Sequence, residues 1–118
     1  MRQWSEALRS FHQRLDSAGL GDRVLVLTFS EFGRRVAENA SQGTDHGAAA
    51  PAFLSGPKLE NTIVGNQPSL SELEDGDLKF HTDFRSVYAT LIEDWLGASS
   101  KNVLTEEHSK LSQLGLQL

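Results

Sequence analysis

Val24, Leu25, Val26 and Leu27 run on through Thr28 to Phe29 with no polar alternation. A strand with one wet face alternates apolar and polar side chains. An unbroken apolar run instead fits a strand covered on both faces, as in a parallel sheet between helix layers. Ahead of it, Trp4, Leu8, Phe11 and Leu15 recur at spacings of four, three and four, one stripe of an amphipathic helix, and Gly19 and Gly21 supply its stop. Helix, short loop and buried strand open an α/β unit. The expected fold class is therefore α/β, with residues 24–28 as a central, parallel strand.

The rest of the chain is thinner in signals. Residues 33–50 are rich in Gly, Ser, Asn and Ala and read as one long loop. Residues 51–54 read as a short second strand closed by Gly56 and Pro57, and residues 58–79 as acidic and turn-rich, with turns at Gly65-Asn66 and Asp75-Gly76. Phe84, Val87, Tyr88, Leu91, Ile92 and Trp95 trace the apolar face of a final helix, capped by Thr82 or Asp83 and ended by Gly97. That helix is expected to pack across the sheet. Residues 1–97 thus form the folded portion and residues 98–118 a polar tail, whose Leu114, Leu116 and Leu118 either dock or fray. Two helices and two strands are too few to cover a strand of the buried type. The missing layers are expected from self-association or from a missing N-terminal region, since the first helix begins at once.

Composition removes several classes of function. A net charge of -5 gives no reason to expect nucleic acid or an anionic membrane as partner. The absence of cysteine excludes disulfides, thiolate zinc sites and cysteine catalysis. No apolar run reaches the length of a transmembrane segment, and the start Met-Arg-Gln-Trp-Ser-Glu does not read as a signal peptide. Neither a Gly-x-Ser-x-Gly elbow nor a phosphate-cradling glycine loop occurs.

Glu31 follows the apolar run directly, and Asp45-His46 sits in the small-residue stretch before the second strand. Carboxylates and neutral imidazole are the ligands that zinc and manganese use, and loops at the carboxyl ends of strands are where α/β sites gather. A divalent metal held by Glu31, Asp45 and His46 is the leading expectation. Each has a plainer reading: Glu31 as a helix-start acid, Asp45 as an Asx-turn residue, His46 as a surface histidine. Arg34 and Arg35 can hold a phosphate or sulfate by bidentate hydrogen bonds, or pair with Glu38 in solvent. His81, Asp83 and Arg85 enter the last helix, where capping accounts for Asp83. His12 and His108 have no assigned role.

The residues also carry a resemblance. Leu27-Thr28-Phe29-Ser30-Glu31-Phe32-Gly33-Arg34-Arg35-Val36, then Gly43-Thr44-Asp45-His46-Gly47, then Asp83-Phe84-Arg85-Ser86-Val87-Tyr88-Ala89 with Asp94-Trp95-Leu96-Gly97, is similar to the C-terminal part of a large bacterial family. That family is described as a domain of unknown function or as sulfatase-like, within the alkaline-phosphatase superfamily, and the resemblance spans about Arg23 to Gly97. It implies a fragment of a three-layer α/β/α sandwich with a mainly parallel sheet. It also implies an exported, periplasmic protein that hydrolyses phosphate or sulfate esters with a divalent metal. Members are several times longer, and their nucleophile and remaining ligands lie in the N-terminal part. Glu31 keeps a carboxylate where the superfamily ends a strand in Asp-His, but Phe32 departs from that pattern, because a phenyl ring cannot bind metal. This departure points to the alternative, a non-catalytic exported or cell-envelope protein with a degenerate site. A second alignment takes Asp45-His46-Gly47 as the strand end; the first is preferred because no apolar run precedes Thr44. On either alignment the chain alone is expected to be inactive.

Overall fold

The apolar stripe of the first segment folds Arg2–Ser17 into helix α1 in the computed structural model, which describes residues 2–59 and 63–111. Gly19, at φ 68, takes the left-handed conformation that ends the helix, and Leu20 N–H returns to the Leu15 carbonyl at 2.8 Å. Strand β1 follows at Val26–Thr28 and pairs with β4, Phe53–Ser55, in the register Val26 to Ser55, Leu27 to Leu54 and Thr28 to Phe53. Helix α1 lies on this pair. Trp4 packs on Phe53 with ring centroids 5.3 Å apart, and His12 Nε2 meets Ser55 Oγ at 2.5 Å.

The pairing is antiparallel, and it overturns the expected parallel three-layer sandwich. Among the described residues the strands form three two-stranded antiparallel pairs, and β1 has β4 as its one partner. The reason lies between the two strands. A parallel return needs a crossover of about a dozen residues or more, usually a helix packed on the sheet. Residues 29–52 contain no helix. They fold instead into a hairpin, so the chain comes back beside β1 from the opposite direction. Nor does the final helix cross a sheet layer; it reaches β1's exit edge-on, through Tyr88 against Phe29 at 6.1 Å.

That hairpin occupies the stretch expected to be loop. Strand β2, Gly33–Glu38, pairs with β3, Thr44–Gly47, joining Gly33 to Gly47, Arg34 to His46 and Glu38 to Thr44, with an irregularity between Arg34 and Glu38. Asn39 organises the turn. Its Oδ1 accepts from the N–H groups of Ser41 (3.0 Å) and Gly43 (3.1 Å), and its own N–H donates to the Gly43 carbonyl at 2.8 Å. A second, tighter hairpin, β5 (Leu73–Glu74) and β6 (Asp77–Leu78), turns through Asp75 and Gly76, both at positive φ. The Asp77 carboxylate accepts from Ala48 N–H at 2.8 Å and so ties β6 to the end of β3.

Helix α2, Phe84–Thr90, starts on Asp83, whose carboxylate accepts from Arg85 N–H at 2.9 Å, and continues as a π-helical turn over Leu91–Trp95. Gly97, at φ 64, lets Ala98 N–H reach back to the Ile92 carbonyl at 3.0 Å. The described part of the expected tail folds back on this helix. Leu111 N–H donates to Thr90 Oγ1 at 2.9 Å, and Lys110 Nζ donates to Asp94 Oδ1 at 2.6 Å. Leu114, Leu116 and Leu118 lie outside the described residues.

Hydrogen bonds from the Arg85 side chain, then from its backbone N–H, hold the Asp83 carboxyl at about 2 against an ordinary 3.8. A depressed carboxyl contributes stability above its unfolded pKa and loses it as pH falls through its folded pKa. The start of α2 should therefore loosen as pH drops from about 3.8 towards 2. Amide shifts of residues 84–87 should follow that titration, and Asp83→Asn should abolish the response. A pH-independent first turn would contradict this cap.

Little of the molecule is covered. Among the described residues Ala89 is the one fully buried apolar side chain. In β2 only Gly33 is buried; the strand is otherwise open on both faces.

Candidate functional site

A cleft of about 510 Å³ opens where β1 gives way to β2. Thr28, Phe29 and Ser30 form its side as they leave β1. Phe32, Gly33 and Arg34 line it at the entry to β2, and Pro51, Phe53 and Leu78 of β6 line it as well. Gly33 permits this closeness, because a methyl group there would collide with the carbonyl oxygen of Ala49. Gly47 does the same on β3, where a Cβ would come within 2.6 Å of the Asp77 carboxylate and 2.9 Å of the Arg34 backbone.

Three side chains gather beside the cleft, of which Phe32 and Arg34 line it. Phe32 and His46 stack face to face, with centroids 3.6 Å apart and planes 10° from parallel. The guanidinium carbon of Arg34 lies 5.2 Å from the Phe32 centroid, and its Nη1 donates to the Thr44 carbonyl at 2.8 Å. Cross-strand pairing of Arg34 with His46 brings the cation and the imidazole together. That bond anchors the guanidinium while other N–H groups of its five remain for a ligand.

The remaining sequence candidates fall elsewhere. Asp45 follows the strand alternation to the face opposite its neighbour His46 and accepts from Asn39 Nδ2 at 2.9 Å. Glu31 is exposed on the bend before Phe32. The Arg35 guanidinium reaches the Gly76 turn, away from the cleft. His81 is exposed before α2, and Asp83 is occupied by Arg85, whose Nη2 lies 2.6 Å from its Oδ2. Among the described residues no three His, Asp or Glu side chains converge as ligands of one ion would. The donors present therefore do not fit a complete zinc or manganese centre; His46 could contribute one imidazole, and no chemical step is assigned to a metal here.

Sequence reasoning singled out Arg34 and His46 but missed that a hairpin joins them. Asn39 and Gly43, turn residues flanked by Val36-Ala37-Glu38 and Thr44-Asp45-His46, were the available signal. Phe32, set aside for its chemistry, is the residue that His46 packs against. His12, given no role, ties α1 to β4.

Residues 1–105 match the family described as "Protein of unknown function (DUF1501)", and the chain belongs to that family. The match extends beyond the 23–97 span of the motifs at both ends. Comparison with curated proteins and with solved structures gave no match. Among the described residues no helix is long and apolar enough to cross a membrane.

Proposed function

We propose that this chain forms the ester-binding part of a hydrolase of phosphate or sulfate esters and is not a complete catalyst by itself. Arg34 carries the reading: among the described residues it is the one charged side chain lining the cleft, on the strand paired with that of His46. A planar guanidinium recognises a phosphate or sulfate through paired hydrogen bonds, and the hydroxyls of Thr28 and Ser30 line the same cleft. Among the hydrogen bonds of the described residues none joins His46 to a serine or threonine, so the proposal gives this chain no nucleophile. The sulfatase-like, alkaline-phosphatase kinship and an exported setting belong to this same proposal and rest on the three motifs in order. A covering layer from a second copy or from further polypeptide belongs to it too, since the hairpin is open on both faces.

The Phe32–His46 stack favours a second reading, a non-catalytic family member in which a ring has replaced a ligand. Titration with 4-nitrophenyl phosphate and 4-nitrophenyl sulfate, with and without Zn²⁺ or Mn²⁺, separates the two. The ester-binding reading predicts saturable binding without turnover, weakened roughly tenfold or more by Arg34→Gln. Absence of saturable binding would favour the non-catalytic reading. Metal-dependent turnover lost in His46→Ala would overturn the claim that the chain alone is incomplete.

A further inference from the structure

We propose that the cleft selects esters whose organic group is aryl or similarly flat and apolar, a specificity that rests on the ester-binding reading above. Its walls are three phenylalanines, a proline and a leucine, against one cation. Each phenyl ring is braced by an aromatic partner from a different part of the fold. Phe29 meets Tyr88 of α2 edge-on at 6.1 Å, Phe53 meets Trp4 of α1 at 5.3 Å, and Phe32 stacks on His46 of β3 at 3.6 Å. Such contacts limit how far each ring can turn, so less freedom is lost when a ligand binds.

Size and polarity narrow the choice further. About 510 Å³ lies within the range of roughly 300–1,000 Å³ typical of small-molecule clefts, far more room than an inorganic anion needs. A sugar ester would fill that room with hydroxyls. Only Thr28 and Ser30 offer side-chain hydroxyls to meet them, and hydroxyls left unpaired against phenyl rings cost affinity. A fused or single aromatic ring instead lies against Phe29 and Phe53 while its sulfate or phosphate meets Arg34, which sits over Phe32. The cleft thus reads as a holder for one anionic group joined to one apolar plate.

Three probes test this on the purified chain by isothermal titration: 2-naphthyl sulfate, methyl sulfate and 2-naphthol. The aryl sulfate should bind at least roughly tenfold more tightly than methyl sulfate, by burial of its rings. Phe29→Ser should erase that preference by weakening 2-naphthyl sulfate towards the affinity of methyl sulfate. Phe29→Tyr, which keeps the ring braced on Tyr88, should retain the preference and shows whether position 29 tolerates change. Equal affinity for the two sulfates, both weakened by Arg34→Gln, would overturn the aryl specificity and leave the ester-binding reading standing. Equal affinity for 2-naphthyl sulfate and 2-naphthol, both indifferent to Arg34→Gln, would overturn the ester-binding reading itself. No saturable binding of any probe would overturn both.

Discussion

Gly33→Ala should destabilise the protein by about 3 kcal/mol, the upper end of what overpacking usually costs, and should abolish ligand binding in the cleft. Gly33 is the buried residue of β2, and a methyl group there would run into the carbonyl oxygen of Ala49. That neighbour is backbone, so it cannot turn aside as a flexible side chain would. Relief requires β2 to part from residues 49–51, which are one wall of the cleft. Gly43 provides the control, since a Cβ there meets only Asn39 Oδ1 at 3.7 Å, an ordinary contact. Gly43→Ala should leave the urea midpoint nearly unchanged while Gly33→Ala lowers it sharply. Equal midpoints for the two variants would mean that β2 and residue 49 do not pack as described.

The parts of the fold legible in the sequence are those set by local patterns. The stripe of Trp4, Leu8, Phe11 and Leu15 specifies α1, Gly19 ends it, Asp83 caps α2, and Asp75-Gly76 makes a two-residue turn. The direction of strand pairing was not legible. Residues 24–29 look the same whether their neighbour is parallel or antiparallel. The decision lay in residues 29–52, whose small and polar composition conceals a hairpin. Side-chain alternation on β3 then separated Asp45 from His46, which a loop reading had left free to converge. The site was half legible for the same reason. Arg34 and His46 stand out by residue type, but their pairing depends on a register that the irregular strand β2 does not announce.

The same apolar run explains the second large effect. Residues 24–29 have the composition of a strand covered on both faces, yet β1 is only partly buried along its length. Phe84 (63 %) and Phe80 (64 %) stand exposed. Single exposed apolar residues are ordinary, but exposed rings together with an incompletely covered strand pair and an open hairpin are features that recruit another chain. The purified chain should accordingly self-associate.

Light scattering over a wide concentration range is the most direct measurement of that claim. A covering layer supplied by a second copy predicts a mass that rises from 13.0 kDa towards at least twice that value as concentration increases. A constant 13.0 kDa up to high concentration, with one cooperative melt, would show that the chain covers its own apolar faces and would contradict the account.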